Sequence, residues 1–105
     1  MFAKILAKWL AQKAVPVRGN GVIHNRNSDK RLNVKGVLDF TGNQPVLITD
    51  IDNTRKKLPV AVVKVEVKEN GEELLYCLHV SPDNPQKWMI FAFQRDVNIG
   101  DENIT

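Results

Sequence analysis

The chain has 105 residues, 43% of them apolar and 26% charged, with a net charge of +3 and a sequence pI near 9.2. A chain of this length and balance holds one core and excludes a disordered or low-complexity protein, and none of its apolar runs approaches the ~18 residues of a transmembrane helix. The single Cys77 excludes an internal disulfide and a thiolate zinc cluster, and fits a cytoplasmic location.

In chain order, Phe2, Ile5, Leu6, Trp9 and Leu10 recur at helical spacing, which predicts an amphipathic helix to about Ala14. Lys4, Lys8 and Lys13 interrupt it, so the segment lacks the continuous apolar core of a secretory signal. Pro16 and "RGNG" (Arg18 to Gly21) are read as its stop. "GVIH" is a short strand candidate and "NRNSDK" a polar loop. "RLNVKGVLDF" reads as a strand with Gly36 as a bulge, or as a short helix. "PVLITDI" is a strand that leaves into the polar "DNTRKK". Val63, Val65 and Val67 alternate with Lys64, Glu66 and Lys68, turn at Asn70-Gly71 and return through Leu74, Tyr76, Leu78 and Val80, the signature of an antiparallel hairpin. "SPDNP" makes a second turn, "KWMIFAFQR" is apolar on both faces and so reads as a central strand, and Asp96 to Thr105 is a polar tail.

These elements predict one α+β domain over 1–105: a helix at 1–14, an antiparallel sheet or small barrel of five to six strands at 22–95 with the helix packed on it, and the tail at 96–105. No internal repeat, linker or second module is visible.

"VLITDIDNT", Val46 to Thr54, resembles the nucleophile motif of haloacid dehalogenase-like phosphatases, with Asp50, Asp52 and Thr54 in register. That chemistry needs a helix directly after the loop and further acidic and Lys residues on later strands of a doubly wound sheet. Here the following residues open with Pro59 and a hairpin, so the expected role of Asp50, Asp52 and Asn53 is to end a strand in an Asx-type turn.

Charge is unevenly placed. Met1 to Lys35 carries eight Lys/Arg against one Asp, a balance of +7, whereas Gly36 to Thr105 carries seven against eleven Asp/Glu, a balance of −4. The basic third is expected to meet an acidic partner, and Lys4, Lys8, Arg18, Arg26, Lys30, Arg31 and Lys35 are the candidate nucleic-acid contacts. Tyr76, Trp88, Phe91 and Phe93 are rings on which bases can stack where any faces outward. His24 enters the basic "HNRNSDKR" loop, where an imidazole beside guanidinium groups suits cleavage of a phosphodiester; a solvated loop histidine is the plainer alternative. His79 shares a face with Leu75 and Cys77, and the two histidines lack a third ligand, so neither a metal nor a cofactor is expected.

The segment from "LNVKGVLDF" through "PVLITD" and the hairpin to "LYCLHVSPDNPQKWMIFAFQRD" resembles in pattern the carboxyl-terminal part of barnase-like and RelE-like toxin ribonucleases. The resemblance implies metal-independent RNA cleavage, with Arg95 on the last strand and His24, Arg26 and Arg31 contributing. The chain departs from that pattern where its last strand ends in Gln-Arg-Asp, a place where Tyr is common. The functional expectation is a small basic protein that binds nucleic acid, RNA ahead of DNA, with ribonuclease activity open. The competing expectation is a non-catalytic inhibitor, adaptor or immunity-type module whose protein partner docks on Phe2, Ile5, Leu6, Trp9 and Leu10 or on a sheet edge.

Overall fold

A computed structural model describes residues 2–96. One helix, α1 (Phe2–Ala11), precedes seven strands: β1 (Ala14–Asn25), β2 (Ser28–Asp39), β3 (Val46–Ile51), β4 (Thr54–Pro59), β5 (Ala61–Val67), β6 (Glu73–Val80) and β7 (Lys87–Arg95). They form a single antiparallel sheet in the order β4-β3-β2-β1-β7-β6-β5. Two meanders, β1 to β4 and β5 to β7, are therefore stitched together by the pairing of the first strand with the last.

The α+β expectation of a helix laid on five to six strands is corrected by this arrangement. The described residues form a mainly-β fold of seven strands in an unclosed sheet, and α1 is a short plug. Two misread segments account for the difference. "RGNG" is the middle of β1, which pairs without a break with β2 from Ala14 to Asn25 and with β7 from Val17 to Asn25. "DNTRKK" holds a two-residue turn and most of β4, paired with β3 from Thr54 to Pro59. Gly36 is no bulge, since it keeps register with both Val17 and Thr49; the one register shift lies between Val62 and Lys64.

The sheet curls because its two edge strands are one piece of chain. β4 and β5 stand at opposite ends of the strand order, yet only Val60 separates them, and it is fully buried, its N–H donating to the Pro45 carbonyl. His79 on β6 bonds the Pro59 carbonyl at 2.7 Å, tying the end of β4 across the curl. The concave face holds the core: Val15, Val17, Val34, Leu38, Leu47, Leu75, Cys77, Phe91 and Phe93. The Phe91 and Phe93 rings stack at 5.3 Å, opposite Gly21 and Gly19 of β1. At one end of the curl Trp9 of α1 is fully buried, its Nε1 donating to Glu73 Oε1 at 3.4 Å and its ring under Arg95. The helix stops at Ala11, short of the expected Ala14, because Lys13 turns left-handed (φ 62) after its N–H bonds the Leu10 carbonyl.

The "DIDNT" stretch is the loop of a hairpin. Asp52 and Asn53 both have positive φ (52 and 64), as a two-residue type I′ connection requires, between Ile51 and its partner Thr54. The expected side-chain cap is not what forms: Asp50 meets Arg55 Nε at 3.3 Å and Asp52 meets Lys30 at 4.0 Å. The β5–β6 hairpin turns at Asn70-Gly71 as the sequence predicts, with Gly71 at φ 88 and the Asn70 side chain accepting from the Glu72 N–H.

Cys77 is fully buried on β6, and burial pushes its thiol up to about 12. The folded state thus keeps the protonated thiol through neutral pH and up to that value. We expect native protein at pH 8 to react with a disulfide reagent at less than about one-tenth the rate seen in denaturant, where the thiol regains its ordinary pKa of ~8.5. Equal rates would show that Cys77 is reached without unfolding.

Candidate nucleic-acid interface

Register sorts the candidate residues onto two faces, because directly paired residues and residues two apart on a strand share a face. With the core on the concave face, the convex face of β2-β1-β7-β6 carries successive rows: Asp29, His24, Trp88 and Val80; then Arg31, Val22, Ile90 and Leu78; then Asn33, Asn20, Ala92 and Tyr76; then Lys35, Arg18 and Gln94. The β2 and β1 side is basic and amide-rich, and the β7 and β6 side is apolar and aromatic.

Within the second and third rows the small side chains of Asn20 and Ala92 leave a depression of about 590 Å³, flanked by Arg31, Asn33 and Tyr76. A continuing hollow runs past Arg18, Lys35 and Gln94. Arg18 and Arg31 are exposed and make no ion pair among the described residues. Lys35 is engaged, its Nζ lying 3.6 Å from a carboxylate oxygen of the buried Asp96. Tyr76 is half-buried under Lys64, whose Nζ sits 5.4 Å from the ring centroid. At the far end His24 stacks on Trp88 at 4.7 Å with an interplanar angle of 20°, and its Nδ1 lies 2.6 Å from Asp29 Oδ1. Since a carboxylate only accepts, Nδ1 carries the proton of that bond. Arg26 lies in the left-handed β1–β2 turn beside this stack, with Asn27 and Gln86.

No family model, curated protein or solved structure matches this chain.

The remaining candidates fall elsewhere. Lys30 lies on the opposite face from Arg31 and approaches Asp52. Lys8 on α1 reaches Glu73 at 3.7 Å, and Lys4 is exposed on the same helix. Arg95 points into the concave side, 3.6 Å from Glu73 and over Trp9. It stands seven residues beyond Trp88 on β7, roughly 23 Å of strand from the His24 stack. His24, Arg26 and Arg31 share one end of the convex face and Arg95 does not join them. Of the aromatics, Phe91 and Phe93 are core, and only Tyr76 and Trp88 border the convex face. Trp9 is likewise core, Leu10 is 43% exposed, and the side chains of Phe2, Ile5 and Leu6 lie outside the described ones. Asn20, Asn33 and Gln94 were not singled out from the sequence, because amides carry no charge signal and only strand register places them beside the arginines. Among the described residues there is no cluster of three or more metal-binding side chains, and no helix is long and apolar enough to cross a membrane.

Proposed function

We propose that the protein binds single-stranded nucleic acid, RNA by preference, across the convex face of β2-β1-β7-β6. The observation that supports this is Arg31 on a depression lined by Asn20 and Asn33 and Arg18 on the hollow that continues it, both without an ion pair among the described residues, with Tyr76 and the His24–Trp88 stack beside them. Guanidinium groups supply phosphate attraction, amides read base edges, and aromatic faces stack unpaired bases; a duplex hides the faces this surface would use. Asn20 and Asn33, directly opposite each other, offer donors and acceptors at one point on the surface. The His24–Asp29 pair adds a histidine fixed in one tautomer at the end of the track, the one feature that keeps phosphodiester cleavage within the proposal.

The test is anisotropy of a labelled single-stranded RNA 12-mer in chelator, with parallel gels for cleavage. Wild-type protein is expected to bind with a strong salt dependence. Arg18→Glu/Arg31→Glu is expected to weaken binding more than about tenfold and to flatten the log–log salt slope by about 1.4, since each lost phosphate contact on a single strand contributes about 0.7. Absence of binding at low salt, or a double variant with wild-type affinity, would sink the reading. Cleavage in chelator that vanishes in His24→Ala would add ribonuclease activity to it.

A further inference from the structure

The curled sheet has two ends, and among the described residues one of them is plugged. Trp9 and α1 close the end where β1 starts and β7 finishes. At the other end the concave face opens into a cleft of about 480 Å³ between the β3–β4 hairpin and the β6–β7 connection. Its floor is apolar, formed by Ile23, Leu58 and Met89, with His79 set among them. His79 is only 9% exposed, and its Nδ1 is committed as a donor to the Pro59 carbonyl. In the neutral ring Nε2 is then an acceptor, and it has no protein partner among the described residues. At the rim stand Lys56 and Lys87, both exposed and neither ion-paired among the described residues.

The strand positions make this arrangement unusual. Lys56 lies opposite Thr49 on the concave face of β4, and Lys87 is two residues before Met89 on the concave face of β7. Two cations thus border an apolar cleft whose lining also includes the exposed Asp52, which faces Lys30 at 4.0 Å. Charge of this kind beside apolar surface suits a ligand that is anionic at one end. The buried acceptor at the floor, with the Thr54 and Ser81 side chains also lining the cleft, discriminates further: an acyl chain would leave His79 Nε2 facing hydrocarbon, whereas a heteroaromatic ring with an N–H donor would pair with it.

We propose that this cleft binds one nucleotide, its base inserted against Ile23, Leu58 and Met89 with an N–H donated to His79 Nε2, and its phosphate held by Lys56 and Lys87. A phosphate monoester carries close to two charges at neutral pH, which suits two ammonium groups that have no ion pair among the described residues. The same chemistry is offered by a free nucleoside monophosphate and by the 5′-phosphorylated end of an RNA strand. The site opens on the concave side, shares Trp88 of its lining with the convex-face interface, and does not require the reading given for that interface.

The test is calorimetric titration with AMP, adenosine and a 5′-phosphorylated RNA trinucleotide, with amide shifts recorded at Leu58, His79 and Met89. AMP is expected to bind at least about tenfold more tightly than adenosine, with shifts confined to those amides. Lys56→Glu/Lys87→Glu is expected to abolish that preference while keeping the thermal midpoint, and Arg18→Glu/Arg31→Glu to leave AMP binding unchanged. Competition of the trinucleotide with AMP identifies a strand end as the source, and AMP binding without such competition identifies the free nucleotide. Saturation absent up to about 10 mM AMP, equal affinity for adenosine, or wild-type AMP affinity in the Lys56→Glu/Lys87→Glu protein would overturn the proposal. Loss of AMP binding with RNA binding intact would count against the cleft alone, and the converse against the convex face alone.

Discussion

Gly19→Ala is expected to destabilise the fold by about 3 kcal/mol or more, since a methyl there would make the closest clash among the described glycines. A Cβ built at Gly19 would lie 1.9 Å from the Ala92 carbonyl oxygen and 3.1 Å from the Phe93 Cα. Those are backbone atoms of β7, which are held by their own pairing to β1 and β6 and cannot swing aside as a flexible side chain would. The neighbouring Gly21 shows the milder version, with its absent Cβ 2.6 Å from the Phe91 ring. With each kcal/mol shifting the midpoint of a domain this size by roughly 4–8 °C, the thermal transition should fall by more than about 12 °C. A Gly19→Ala protein that melts within a few degrees of wild type would show that β1 and β7 do not approach this closely.

Trp9→Ala is expected to be comparably severe, at about 3–5 kcal/mol, because it removes a large, fully buried α1 side chain, the one such among the described side chains of that helix. It also strips a cluster of partners: Glu73 loses the indole donor, and Arg95, which covers the ring at 5.9 Å, is left over a void. Trp9→Phe should recover much of the loss by refilling the space without the N–H. Denaturant melts with unchanged slope decide the matter. If Trp9→Ala leaves stability intact and instead releases a bound protein, the helix is a docking surface and its burial in the fold is mistaken.

What could be read from the sequence divides along physical lines. The β5–β6 hairpin was legible because alternation and an Asn-Gly turn agree, and β7 because a strand apolar on both faces has to be central. β1 was not, because Gly19, Asn20 and Gly21 look like a turn when nothing shows that Phe91 and Phe93 need the space above them. β4 was missed because Arg55, Lys56 and Lys57 offer no apolar alternation; its inward positions face an open mouth, so a lysine is tolerated where a core strand would demand a leucine. The basic residues were visible as a pool and invisible as a surface. Arg31 and Lys30 are adjacent in sequence and on opposite faces of the sheet, whereas Arg31 and Arg18 are distant in sequence and share one. The depression beside Tyr76 depends on a pairing of Ala92 with Asn20 that local periodicity cannot supply.

The pairing of β1 with β7 also fixes an order of events during synthesis. β1 to β4 are consecutive neighbours and can zip as they emerge, but one side of the twelve-residue β1 must wait for Lys87 to Arg95. At ribosomal rates of roughly 5–20 residues per second that wait lasts several seconds, with an unpaired central strand carrying Val15, Val17, Val22 and Ile23 open to any passing chain. The same Gly19-Asn20-Gly21 segment that lets β7 in is a poor template for other strands, since glycines within a strand weaken its propensity to pair. The glycines that admit the right partner late thus also discourage the wrong ones early.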